Sequence, residues 1–253
     1  MPADAYDETV AALRAAGCVF AEDEARLLLE ADGDREVLLA RRVAGEPLEW
    51  VLGWAEFADL RIAVHPGVFV PRRRTELLAA EAIARLRPAS VAVELCCGSG
   101  AVAAVILEEV PFVELHAADI DPVAVACAQE NVPNGNVHQG DLFDALPDDL
   151  RGRVDVLVAN TPYVPSAEIS LMPPEARDHE PRHTLDGGRD GLDLLRRISH
   201  TARDWLSPGG HLLIEVGEGQ LPTAMAVFES DGLAASSASN DELGATVVIG
   251  RAD

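Results

Sequence analysis

From about residue 75 to the C-terminus the chain alternates short apolar runs with stretches of helical periodicity. That alternation restricts the fold more than any other feature. Strand-like runs read at SVAVELCC (90–97), VELHAADI (113–120), NVHQGDLF (136–143), VDVLVAN (154–160) and HLLIEVG (211–217). Helices are expected between and around them at 75–86, 100–110, 122–131, 191–206 and 220–229, bounded by Pro88, Pro111 and Ser207-Pro208-Gly209-Gly210. Pro122 stands in the first turn of its helix, where its missing N–H costs nothing. Two final runs, near 233–239 and 245–251, are close enough in sequence to pair antiparallel. Apolar strands joined by helices make a mostly parallel, doubly wound α/β sheet. Ligands of such sheets bind beyond the carboxyl ends of the strands. The residues delivered there are therefore the functional candidates.

The chain before residue 75 has another character. Helical spacing at 9–16, 21–29 and 34–43, with stops at Gly17 and Gly33, marks a small acidic helical module over 1–49 that must pack on something larger. WVLGWAEFADLRIAVHPGVFVP alternates through Leu60, Ile62 and Val64, turns at His65-Pro66-Gly67 and resumes at Val68, Phe69 and Val70. It reads as a β-hairpin linker over 50–74, with the α/β domain over 75–253.

Charge narrows the partners. The 253 residues carry 43 acids against 20 basic residues, all of them Arg, for a net charge of −23. Such a surface repels phosphate backbones, so stable nucleic-acid binding is not expected, and a small molecule or a protein fits better. No apolar run is long enough to span a membrane, and MPADAYDETVAAL lacks a basic leader, so a cytoplasmic protein without a membrane association is expected. Cys18, Cys96, Cys97 and Cys127 lack metal-ligand spacing and read as small buried residues. His179, Glu180 and His183 lie on a proline-rich loop over 164–190, where surface histidines are expected rather than a metal site. A loop that long is a candidate lid on the substrate side.

The strand ends carry a connected set. The first delivers Glu94-Leu95-Cys96-Cys97-Gly98-Ser99-Gly100 into a helix, where glycines admit a ligand to the backbone and helical N–H groups face it. The second ends at Asp119-Ile120-Asp121. Asp121 precedes Pro122 and suits a helix cap, which leaves Asp119 to accept the hydroxyls of a ribose. The third ends at Gly140-Asp141-Leu142-Phe143, and an acid there can accept from an exocyclic amine. Together these specify a nucleoside-bearing cofactor. Gly98-x-Gly100-x-x-Ala103 also satisfies the relaxed dinucleotide pattern, so a nicotinamide enzyme is an alternative. The fourth strand opposes it by ending in Asn160-Thr161-Pro162-Tyr163. Hydride transfer needs no such set, but methyl transfer to nitrogen does. The Asn160 side-chain oxygen and the Thr161 carbonyl can each accept one N–H of a planar nitrogen. That turns its lone pair toward an electrophilic methyl and favours the positive charge that develops. Pro162 stiffens the turn and Tyr163 packs on the planar acceptor.

At this point the sequence resembles the HemK/PrmC-type protein-(glutamine-N5) methyltransferases. The resemblance rests on PLEWVLGWAEFADLRIAVHPGVFVPRRRTE, ELCCGSGAVA, DIDP, GDLF, NTPY, LDGGRDGLDLLRR and LSPGGHLLIEVGEGQ, and it covers nearly the whole chain. It implies a class I (Rossmann-like) methyltransferase domain with a C-terminal antiparallel strand pair, behind a helical domain and a hairpin linker. It implies S-adenosyl-L-methionine as cofactor, with S-adenosyl-L-homocysteine as product. Its implied acceptor is the glutamine of the Gly-Gly-Gln motif of a peptide-chain release factor. By the same resemblance Glu94, Cys96, Cys97, Gly98, Ser99, Gly100, Asp119, Ile120, Asp141, Leu142 and Asn160 hold the cofactor. Asn160, Thr161, Pro162 and Tyr163 carry the chemistry, and Phe69 and Arg72 join Asn160 and Tyr163 in binding the acceptor. Thr161 replaces a proline of the family, but its carbonyl survives. Cys96 replaces a glycine, so a left-handed backbone is not expected there. Arg72-Arg73-Arg74 departs from the family linker and is expected to pair with the acidic helices or touch substrate. A different protein, a small molecule or a nucleobase is the alternative acceptor. A non-catalytic cofactor-binding protein is a more distant reading.

Overall fold

A computed structural model describes residues 3–253. Four helices come first: α1 (Ala3–Ala15), α2 (Ala21–Glu30), α3 (Arg35–Val43) and α4 (Leu48–Leu52). Val10, Leu13, Leu28, Leu38 and Val51 form a small core of their own. Asp34 caps α3 by accepting from the Glu36 N–H, the role that its type favours at that position. The helix α4, within the run read as the start of the linker, is additional to the three expected.

The hairpin pairs β1 (Trp54–Phe57) with β2 (Leu60–Ala63) in antiparallel register, Phe57 opposite Leu60. This corrects the sequence reading. The turn is Ala58-Asp59, both at positive φ (48° and 63°), while His65-Pro66-Gly67 begins an irregular stretch and Val68–Val70 is not a strand. Val68 and Val70 are nonetheless buried, and the Trp50 indole N–H donates to the Val68 carbonyl (2.9 Å). Phe57, Ile62, Val64 and Trp50 belong to the same core as the helices behind the main sheet.

The α/β part contains α5 (Glu76–Ile83), β3 (Val91–Leu95), α6 (Ala101–Glu109), β4 (Glu114–Asp119), α7 (Pro122–Asn131), β5 (Asn136–Gln139), β6 (Val154–Ala159), α8 (Pro174–His179), α9 (Asp193–Ala202), β7 (Leu206–Glu215), α10 (Leu221–Ser230), β8 (Ala234–Asn240) and β9 (Ala245–Arg251). The sheet order is β5-β4-β3-β6-β7-β9-β8. The strands β3 to β7 run parallel, and β9 pairs antiparallel with both β7 and β8. The segment Ser207–Gly210 lies inside β7 rather than closing a helix, with a bulge against β6 between Val154 and Val156. The chain leaves β3 toward β4 and β5, then returns to β3's other side with β6 and β7. The switch point of the sheet, where a crevice opens, is thus the β3/β6 boundary.

Register then decides which strand tips meet. Leu95 pairs with Ala118 on one side and Ala159 on the other, and Ala159 pairs with Ile214. One residue further along, Asp119, Cys96, Asn160 and Glu215 stand in a row across the end of the sheet. Among the described residues no helix is long and apolar enough to cross a membrane.

Candidate active site

A cavity of about 430 Å³ opens at this switch point. Its floor is the row of strand tips and the glycine turn. Its walls come from the linker (Phe69, Arg72, Arg74) and from Met172–Ala176 and His183–Leu185 of the long loop. Glu94, Cys96, Cys97, Gly98, Ser99, Asp119, Ile120 and Asn160–Tyr163 all line it, as do Phe69 and Arg72. Three expected cofactor residues do not. Gly100 caps α6 from behind at φ +74°. Asp141 and Leu142 lie outside the lining, and the Asp141 carboxylate accepts from Arg197 Nη2 (2.8 Å).

The glycines act differently. A Cβ added at Gly98, where φ is +54°, would meet no atom within 4 Å and would enter the open space of the cavity. A Cβ at Gly100 would strike Val132 and Ala128 of the α7 region at 3.0 and 3.1 Å. The first glycine keeps room for a ligand; the second lets a helix approach. Cys96 also lies in the left-handed region, at φ 55°, which corrects the expectation that replacing glycine there removes that conformation. The thiol is half-buried, as is Cys18, whereas Cys97 and Cys127 are buried.

The acids of the turn are held by backbone. Asp119 accepts from the Gly98 N–H through one oxygen and from the Asp121 N–H through the other, each at 2.9 Å. Asp121 caps α7 by accepting from the Val123 N–H (2.8 Å) and stands 3.3 Å from His183. Each Asp119 oxygen keeps acceptor capacity, which suits a pair of ribose hydroxyls. Glu94 is buried and accepts from the Ala103 N–H at the start of α6 (2.8 Å). Burial pushes its carboxyl up to about 8, the Ala103 N–H opposing and the Asp119 charge adding to the rise. An ammonium or sulfonium beside it would restore its charge, so the acidic donor set and the open cradle at Gly98 fit S-adenosylmethionine.

The Asn160-Thr161-Pro162-Tyr163 turn is fixed by hydrogen bonds to three other elements. Asn160 Nδ2 donates to Thr75 Oγ1 (3.1 Å), so Oδ1 is the atom left for a ligand. Among the described residues no N–H or O–H is bonded to the Thr161 carbonyl. The Tyr163 carbonyl, by contrast, accepts from Gln220 Nε2 (2.8 Å). The Tyr163 hydroxyl donates to Glu215 Oε1 (3.1 Å), and the Arg74 guanidinium lies over its ring, 5.6 Å from the centroid. Burial and the Glu215 charge raise the tyrosine's pKa, so it remains a phenol.

The arginine run does not pair with the acidic helices. Arg72 stacks on Phe69 and donates to Glu180 of the loop (2.7 Å), and Arg74 approaches Glu215 (3.5 Å). The helices are served by arginines of their own, and one of these, Arg42, is buried and bound to Glu24 (2.6 Å) and to Glu175 of α8 (2.8 Å). Among the described residues no three His, Cys, Asp or Glu side chains converge as a metal site. The sequence reading missed Thr75, Glu215 and Gln220. An acid at the C-terminal end of the apolar run Leu212-Leu213-Ile214 was the available signal for Glu215.

A seven-stranded doubly wound sheet whose last strand, β9, inserts antiparallel between β7 and β8, with a glycine cradle and a ribose-competent acid on adjacent strand tips, is the architecture of the class I, S-adenosylmethionine-dependent methyltransferases. Residues 59–172 match the family described as Methyltransferase small domain. The fold is shared with a methyltransferase from Pyrococcus furiosus (TM-score 0.58, 18% identity, 77% of this chain and 89% of that one). It is also shared with a ribosomal protein L11 methylase from Lactobacillus delbrueckii subsp. bulgaricus (TM-score 0.52, 17% identity, 76% and 86%). The release factor glutamine methyltransferase of Geobacter sulfurreducens is 37% identical over 84% of this chain and 75% of its own length. That of Streptomyces coelicolor is 42% identical over 73% and 69%. The chain belongs to this HemK/PrmC family of release factor glutamine methyltransferases. A further relative, the 4-amino-L-phenylalanine/4-methylamino-L-phenylalanine methyltransferase of Streptomyces pristinaespiralis, is 34% identical over 91% of this chain and 88% of its own length.

Proposed function

We propose that the protein binds S-adenosylmethionine in the switch-point cavity and transfers its methyl to the side-chain amide nitrogen of a protein glutamine, that of a release factor's Gly-Gly-Gln motif. The observation that carries the reading is the oriented Asn160 amide. Its nitrogen is bound to Thr75, its oxygen is left for a ligand, and among the described residues the neighbouring Thr161 carbonyl has no donor. Two such acceptors fix a planar NH₂ group, one hydrogen each, and localise its lone pair along the remaining direction. When bound, S-adenosylmethionine supplies an electrophilic methyl on a sulfonium. Asp119 holds the ribose, Gly98 lets the cofactor approach the backbone, and the acids of the turn favour its cationic groups. Tyr163 and Phe69 flank the planar acceptor. As charge develops on the nitrogen, the two acceptor oxygens strengthen their bonds to its hydrogens, and the excess proton leaves to water after transfer. We further propose that residues 1–49 and the linker grip the protein substrate.

A second acceptor class has one specific observation in its favour. The 4-amino-L-phenylalanine enzyme aligns over more of this chain, and more of its own, than the two release factor enzymes above do. An arylamine is also a planar NH₂ group, so the Asn160 and Thr161 oxygens serve it equally. Tritiated-methyl transfer to purified release factor and to 4-amino-L-phenylalanine, run side by side, separates the two. The account expects label in the release factor at a kcat/KM at least tenfold above the amino acid's. The reverse order would replace the glutamine acceptor with an arylamine.

A further inference from the structure

An asparagine amide is symmetric in shape and opposite in polarity at its two ends. Turned one way it offers an acceptor to the substrate nitrogen; turned the other it offers N–H against N–H. The orientation therefore has to be imposed from behind, and the groups behind Asn160 are not part of the four-residue turn. Asn160 Nδ2 donates to Thr75 Oγ1. Thr75 ends the short 3₁₀ turn Arg73–Thr75 that leads from the linker into α5, and it is buried. Having accepted from Asn160, its hydroxyl must send its own hydrogen elsewhere. The carboxylate placed to receive it is that of Glu215, at the tip of the neighbouring strand β7, one residue beyond the register pair Ala159–Ile214 and so beside Asn160. Glu215 is 1% exposed, and its Oε2 is buried with no bonded donor among the described residues. Its Oε1 takes the Tyr163 hydroxyl, and Arg74 stands 3.5 Å away. An ionised carboxylate can only accept. Its unpartnered Oε2 is an acceptor open to the Thr75 hydrogen, and a Thr75 hydroxyl turned that way offers its oxygen, not its hydrogen, to the Asn160 amide.

We propose that Thr75 and Glu215 are positioning residues that set the polarity of the Asn160 amide, holding its oxygen toward the methyl acceptor through the relay Glu215 carboxylate, Thr75 hydroxyl, Asn160 NH₂. The inference rests on the N-methyltransferase reading. It adds that the linker supplies part of the acceptor-binding geometry, and that β7, although it touches no substrate, fixes the direction of the hydrogen bonds.

The test uses the full chain with purified release factor as methyl acceptor. Thr75→Val removes the acceptor while keeping the shape. It is expected to lower kcat about 10²-fold while the dissociation constant for S-adenosylhomocysteine stays within twofold. Thr75→Ser restores the hydroxyl and is expected to return kcat to within a few-fold of wild type. Glu215→Gln, which can donate as well as accept, is expected to fall between them. Homocysteine-product binding also certifies that each variant is folded. A Thr75→Val enzyme that turns over like wild type while Asn160→Ala is dead would overturn the relay and leave the function intact. An Asn160→Ala enzyme that turns over like wild type would overturn both. A second readout needs no turnover. The Asn160 side-chain amide resonances, identified by their loss in Asn160→Asp, are expected to be slow to exchange in wild type and fast in Thr75→Val. Equal exchange in the two proteins would contradict the relay.

Discussion

Single residues set the chemistry here by what their neighbours deny them. Asn160 presents oxygen because its nitrogen is engaged, and Asp119 keeps spare acceptor capacity because each oxygen spends only one lone pair on backbone. The two glycines of the turn make opposite predictions. Gly98→Ala places a methyl in the cavity and should weaken S-adenosylhomocysteine at least tenfold. It should cost only about 1 kcal/mol of stability for the left-handed backbone. Gly100→Ala drives a methyl against Val132 and Ala128 and should lower the melting temperature more than it lowers affinity. Calorimetry and thermal melts on the pair check this, and equal effects on both quantities would count against it. Glu94 gives a pH signature. Its folded pKa, about 8, lies above that of an unfolded glutamate, so its carboxyl retains a proton that the unfolded chain releases. The stability it contributes is complete below the unfolded pKa and is lost as pH climbs toward 8. Glu94→Gln should therefore flatten the fall in melting temperature of the free protein between mildly acidic pH and pH 8. An unchanged slope would show that other groups cause it.

At the scale of elements, the centre of the sheet was legible in the sequence because β3 and β6 are short apolar runs followed directly by turn residues, Gly98 after one and Asn160-Thr161-Pro162 after the other. The strand tips were legible because a doubly wound sheet says where to look. The hairpin was misplaced for a physical reason. Its turn is Ala58-Asp59 with both residues at positive φ, a conformation for which Asn-Gly or Asp-Gly is the usual signal. His65-Pro66-Gly67 carries stronger turn residues without closing a hairpin. Cys96 misled in the same way, since a non-glycine residue at φ 55° is uncommon and no composition rule flags it. Thr75, Glu215 and Gln220 were illegible because their partners are 85, 52 and 57 residues away in sequence and meet only in the folded chain. The long loop is held at two points that were equally long-range. Glu175 binds Arg42, and Glu180 accepts from both Arg72 and the Val70 N–H (3.2 Å). Replacing both glutamates by alanine should speed hydrogen exchange over 172–186 while leaving the strands of the sheet protected. Mass-spectrometric exchange measures it, and protection unchanged in that loop would mean the two pairs do not hold it.

Over the whole molecule, the linker, the long loop and the sheet converge on one cavity from three sides. The acidic modules do not rely on the arginine run for cohesion. Arg42 joins the helices to the loop internally, and Arg72 and Arg74 of the linker stand at the cavity wall. Family membership agrees with this arrangement, and under the proposed function the oriented amide holds a nitrogen still beside an activated methyl. The most direct test is to incubate the protein with S-adenosylmethionine and a release factor and to locate any mass gain by tandem mass spectrometry. One methylene's worth of added mass is predicted on the glutamine of the Gly-Gly-Gln peptide with the wild-type enzyme, and none with Asn160→Ala. No gain with wild type, or an equal gain with the variant, would contradict the account.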